Sequence, residues 1–148
     1  MSNDIVPHIN TIISMIEKAR QKTLENVNTE LIKLYWNVGE YLSNESALSS
    51  WGDSFMDSLA DNIQKDYPEI KGFNRRSLYR MRQFYEIYKD NEKVSPLVTQ
   101  ISWTNHLLIL SGTKTIEEKE FYVQLCIKEK YSKQELERQI DSAYFRNR

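Results

Sequence analysis

Four arginines and a lysine crowd the stretch KGFNRRSLYRMR at 71–82, which contains no acidic residue. On a helix, at 100° per residue, Arg75, Arg76, Tyr79, Arg82 and Gln83 share one side, opposite Leu78, Met81, Phe84, Tyr85 and Tyr88. The cationic groups attract phosphate, and Arg or Gln on such a face reaches base edges in a major groove. Lys71 and Asn74, at the start of the helix, are placed to touch phosphate. The chemistry these residue types support is recognition of a polyanion rather than bond making.

The face needs a scaffold, and residues 51–88 read as two short helices joined by a turn. Phe55, Met56, Leu59, Ala60 and Ile63 form the apolar stripe of the first helix. Pro68 and Gly72 break the pattern, with Tyr67 and Phe73 as apolar plugs, and Asn74 is the expected N-cap of the second helix. A helix-turn-helix reader is written this way. Charge divides the unit. Residues 51–70 hold Asp53, Asp57, Asp61, Asp66 and Glu69 against Lys65, a net of −4, while 71–82 hold Lys71, Arg75, Arg76, Arg80 and Arg82, a net of +5. The chain-wide net of −1 hides this dipole. Arginines on a soluble helix also pair with nearby aspartates. Arg80, nearest the apolar side, suits a structural pair with Asp57 or Asp61.

Composition fits a single all-α domain over 1–148. Hydrophobic residues make up 40% and charged residues 28%, while four Gly and three Pro are few for the turns of an all-β fold. Nine Tyr and three Trp imply a core of packed rings, Trp36, Trp51 and Trp103 among them. Cys126 is the only cysteine, which rules out an intrachain disulfide and suits a reducing compartment. No apolar run reaches membrane-span length, so a cytoplasmic protein without a membrane partner is expected.

From Pro7, apolar residues keep helical spacing through Leu42. One long helix over 8–43 is expected, about 35 residues and roughly 50 Å. The alternative is a break near Asn26–Asn28. The Ile-rich start (Ile9, Ile13, Ile16) is a candidate dimer seam, and Gly39 lets another helix approach closely. Ser43–Ser50 reads as a polar loop. Residues after Tyr88 form a connector with a short helix around Pro96, then a buried helix capped by Ser102 and carrying His106 as a core group. Thr115 with Glu118 and Ser132 with Glu135 are capping boxes that open a closing pair of helices. The second carries Leu136, Gln139, Ile140 and Tyr144, ends basic in Arg138, Arg146 and Arg148, and stops as a piece of a longer protein would.

No glycine-rich phosphate loop, serine elbow or Cys/His metal spacing occurs, and the only histidines are His8 and His106. Neither catalysis, a metal, a cofactor nor a small-molecule substrate is expected of this chain.

Several strings, in order, resemble the N-terminal domain of YhcG-type proteins, a bacterial family whose longer members carry a PD-(D/E)XK nuclease domain. They are AR at 19–20, VNTELIKLYWNVGEYL at 27–42, WG at 51–52, GFNRRSLYRMRQFY at 72–85, ISWTNHLLIL at 101–110, EFYVQLCIKEKYSKQELERQI at 120–140, Tyr144 and Arg146. The resemblance implies a helical domain of unknown function with a helix-turn-helix. It does not carry the nuclease activity over, since nothing here resembles that domain's metal-binding triad. The expectation is a module that binds duplex DNA and brings a fused nuclease to it. The alternative is a protein–protein or homodimerisation module built on the long helix.

Overall fold

The computed structural model describes the backbone of residues 2–48 and 53–147, and leaves aside the side chains of 2–10, 15, 16, 19 and 53. Expectations placed on the side chains of His8, Ile9, Ile16, Ala19 and Asp53, and on Trp51, Gly52 and Arg148, therefore lie outside the described residues, whereas the helix expected to start at Pro7 begins at Ser2. The chain is all-α.

Its backbone is organised along α1 (Ser2–Leu48), one unbroken helix of 47 residues. At 1.5 Å per residue this is about 70 Å long. Among the described residues, the body grips its second half. Asn28 Nδ2 donates to the carbonyls of Thr99 and Ile101, each at 3.1 Å, and Ile32 and Leu42 are fully buried. Between them Tyr35 lies 4.8 Å from Trp103, ring centre to ring centre, and Trp36 meets Phe84 edge-on at 5.5 Å. The asparagines at 26–28 do not break the helix, because Asn28 finds tertiary partners for its amide.

Helices α2 (Asp53–Asp66) and α3 (Arg75–Tyr88) follow, joined by residues 67–74. Met56 and Ala60 of α2 bury against Leu78 and Met81 of α3 and Leu42 of α1. Farther along α3, Phe84 and Tyr88 enter a second cluster with Ile109, Tyr122, Val123 and Leu136. Each such large side chain contributes on the order of 1.5–3 kcal/mol by leaving water. Helix α3 thus joins both cores and crosses α1 at Gly39, where a Cβ would run into the Met81 carbonyl and lie 3.0 Å from Tyr85 Cβ.

A 3₁₀ turn (Ser95–Gln100) leads to α4 (Trp103–Gly112), α5 (Ile116–Glu129), α6 (Lys133–Asp141) and a final short α7 (Tyr144–Asn147). The side chains of Asn74, Ser102, Thr115 and Ser132 all cap helix starts. His106 is fully buried, its Nε2–H donating to the Val98 carbonyl at 2.7 Å. Burial lowers its pKa to about 4, so it sits in the core as a neutral ring.

Five expectations are corrected. Residues 43–48 are helical, since Ser43 Oγ bonds Glu86 at 3.0 Å and ties the end of α1 to α3. Phe73 packs 6.5 Å from Tyr35 as a plug, but Tyr67 is exposed. Ser132 and Glu135 form a complete capping box, whereas the Glu118 carboxylate turns to Arg146 at 3.6 Å and leaves Thr115 to cap alone. The last helix divides, because Ala143 takes a left-handed φ of 56°. The Tyr122 hydroxyl holds the break by accepting from Phe145 N at 3.2 Å. Last, Asp57 pairs with Arg75, not with Arg80.

Candidate functional site

Helix α3 is amphipathic because Leu78, Met81, Phe84 and Tyr88 return every three or four residues and bury, leaving the basic side outward. Its start is fixed by Asn74, whose Oδ1 accepts from Ser77 N at 2.9 Å. The first turn contains no acid, so the partial positive charge of the exposed N–H groups adds to that of Arg75 and Arg76. Lys71, Asn74, Arg75 and Arg76 are exposed, while Tyr79, Arg82 and Gln83 are half-buried. Among the described residues Lys71 and Arg76 form no ion pair.

Three of the expected residues form a ladder. The guanidinium of Arg75 lies 5.8 Å from the centre of the Tyr79 ring, and that of Arg82 lies 4.9 Å from it. Asp57 of α2 anchors one end, 2.8 Å from Arg75 Nε and 3.4 Å from the Tyr79 hydroxyl. Glu86 anchors the other, 3.9 Å from Arg82 Nε, and is itself held by Ser43 of α1. A carboxylate of α2 and one of α3 thus stand at the two ends of the ladder. Sequence reasoning missed Glu86, although its i,i+4 spacing from Arg82 was a usable signal. Asn74 turns out to spend its oxygen on capping, leaving only its amide N–H groups for a ligand.

Beside the start of α3, Gln64, Pro68, Ile70, Lys71, Gly72 and Phe73 line an open cleft of about 330 Å³. Gly72 takes a φ of +87° there, the left-handed turn that only glycine adopts without strain and that aims Lys71 and Asn74 outward.

A wider cleft of about 730 Å³ runs between α1 and the α4–α5 side, with Asn28, Asn105, Cys126 and Tyr131 on its walls. Burial pushes the Cys126 thiol up to about 12, which keeps it protonated and a poor nucleophile. Among the described residues no group of three or more His, Cys, Asp or Glu is arranged to hold a metal, and no helix is long and apolar enough to cross a membrane. Of the expected dimer seam, Ile13 is exposed, while the side chains of Ile9 and Ile16 lie outside the described residues.

Comparison with curated proteins and with solved structures returns no match. Comparison with protein families returns the DUF1016 N-terminal domain, matched over residues 11–147 and so over nearly all of the helices above. The match agrees with the YhcG-type strings spread along the chain. The chain belongs to the DUF1016 N-terminal domain family.

Proposed function

We propose that this domain binds duplex DNA through the outer side of α3, acts without catalysis of its own, and delivers a nuclease domain fused to it in the cytoplasm. The observation that carries the reading is the acid-free start of α3. There, Lys71 and Arg76 stand exposed beside a braced Arg75–Tyr79–Arg82 ladder. Lys71, the Asn74 amide, Arg75 and Arg76 meet phosphates, and Arg82 and Gln83 lie farther along the same helix toward base edges. Residues 53–88 serve as the helix-turn-helix, with α3 as the reading helix. The connection of eight residues (67–74) is longer than the usual three or four of the compact motif.

The test is a fluorescence-anisotropy titration of labelled duplex DNA at several salt concentrations. Affinity falls linearly with salt on logarithmic axes. Arg75→Ala with Arg76→Ala weakens binding to all sequences and lowers the slope by roughly 1 for each phosphate that is no longer neutralised. Unchanged affinity and slope in the double variant would remove this side of α3 as the contact surface.

A further inference from the structure

Helix α1 carries two apolar stripes, and the body covers only one. Ile32, Trp36 and Leu42 turn inward. Beside them Leu24, Val27, Leu31, Leu34, Tyr41 and Leu48 are exposed, from 41% for Leu31 to 81% for Leu48, with half-buried Val38 completing the row. These positions advance by alternating steps of three and four, 24, 27, 31, 34, 38, 41, 45, 48, the spacing of a coiled-coil seam. From Leu24 to Tyr41 the row is apolar throughout and open to water except at Val38, which packs partly against the Leu42–Met56 cluster, unlike the isolated surface leucines of an ordinary helix.

We propose that this stripe pairs with the same stripe of a second copy, antiparallel, about a two-fold axis between residues 32 and 33. Charge fixes the direction. The seam spacing continues to Arg20 at one end and is interrupted by Glu45 at the other. In antiparallel order residues whose numbers sum to 65 face each other, so Leu24 meets Tyr41, Val27 meets Val38 and Leu31 meets Leu34. The same order sets Arg20 of each copy against Glu45 of the other. In parallel order Arg20 would face Arg20 and Glu45 would face Glu45, two like-charge contacts inside the seam. Size is also adequate. The exposed side chains from Leu24 to Tyr41 present on the order of 500 Å² per copy, so pairing removes up to about 1,000 Å², the lower edge of a specific interface, while Leu48 falls opposite Glu17 at the end of the seam. This places association C-terminal to the Ile9–Ile16 stretch expected from sequence.

Sedimentation of the full chain reads the assembly and cysteine pairing reads its direction. The chain sediments as a dimer at tens of micromolar. Leu31→Lys with Leu34→Lys, both at exposed sites, sediments as a monomer with unchanged helical circular dichroism. Under mild oxidation an equimolar mixture of Arg20→Cys and Glu45→Cys chains cross-links, while neither variant alone does. In the antiparallel pair two copies of position 20 are about 37 Å apart, far beyond disulfide reach. A monomeric parent chain, a dimer that survives the two lysines, or Arg20→Cys cross-linking to itself would each overturn the proposal.

Discussion

Asp57 holds Arg75 by a 2.8 Å contact between Oδ1 and Nε, and the same oxygen receives the Tyr79 hydroxyl at 3.4 Å. One carboxylate thus restrains two of the residues assigned to DNA and cancels part of their charge. Both partners of the ion pair are substantially exposed, so the pair contributes at most about 1 kcal/mol to stability. Asp57→Asn is expected to leave thermal stability nearly unchanged, to tighten DNA binding and to steepen its salt dependence. Weaker binding in this variant would mean that the bracing of Arg75, rather than its free charge, matters for the contact.

Asn74 separates capping from recognition. Aspartate caps as well as asparagine, so Asn74→Asp keeps the Ser77 N–H satisfied and the melting temperature of the parent. It also places a negative charge where a phosphate is proposed to sit. DNA affinity at low salt should fall on the order of tenfold, about 1.4 kcal/mol. Equal affinity would place the phosphate away from this helix start.

Gly39 tests the crossing of α1 and α3. A methyl group there meets the rigid Met81 backbone, so Gly39→Ala should lose roughly 1–3 kcal/mol despite alanine's better helix propensity. Gly112 provides the control. Its added Cβ meets Ile140 Cγ2 at 2.7 Å, a branch methyl that can yield by a χ1 shift where the Met81 backbone cannot, and Gly112→Ala should cost less than Gly39→Ala. Denaturant unfolding of both variants checks the ordering.

His106 gives acid sensitivity a definite sign. Its folded pKa, about 4, lies below the ordinary 6.5, so the unfolded chain binds the proton first. Stability from this residue is intact above about pH 6.5, erodes as pH falls toward 4, and is lost below that, on the order of 3 kcal/mol in all. The difference in unfolding free energy between parent and His106→Gln should therefore shrink as pH falls across that window. A difference independent of pH would show that His106 titrates normally in the folded chain.

Much of this fold was readable because short-range rules decided it. The four helix starts follow from side chains that reach their own backbone, and the continuity of α1 beyond its first turns from the absence of proline between His8 and Leu48. What escaped the sequence depends on partners far along the chain. Ser43–Ser50 looks like a loop by residue type, yet the helix runs on to Leu48 and Ser43 finds Glu86 on another helix. Nothing near Arg75 says that Asp57 will choose it over Arg80. The two stripes of α1 merge in a 3.6-residue period, and only burial shows that Ile32 turns inward while Leu31 does not. Helical spacing showed which residues share the basic side of α3, but not that Tyr79, Arg82 and Gln83 are half-buried on it. The carboxylates that brace it were legible only in part.

The contacts of α1 also impose an order of events on synthesis. Asn28 waits for carbonyls 71 and 73 residues downstream, and Tyr35 for Trp103. At roughly 5–20 residues per second, the ribosome leaves these contacts of α1 unmade for several seconds. During that interval both of its stripes are open to water, to chaperones and to neighbouring nascent chains on the same message. The inward side of α1 is therefore completed only after residues as far as Trp103 have been made.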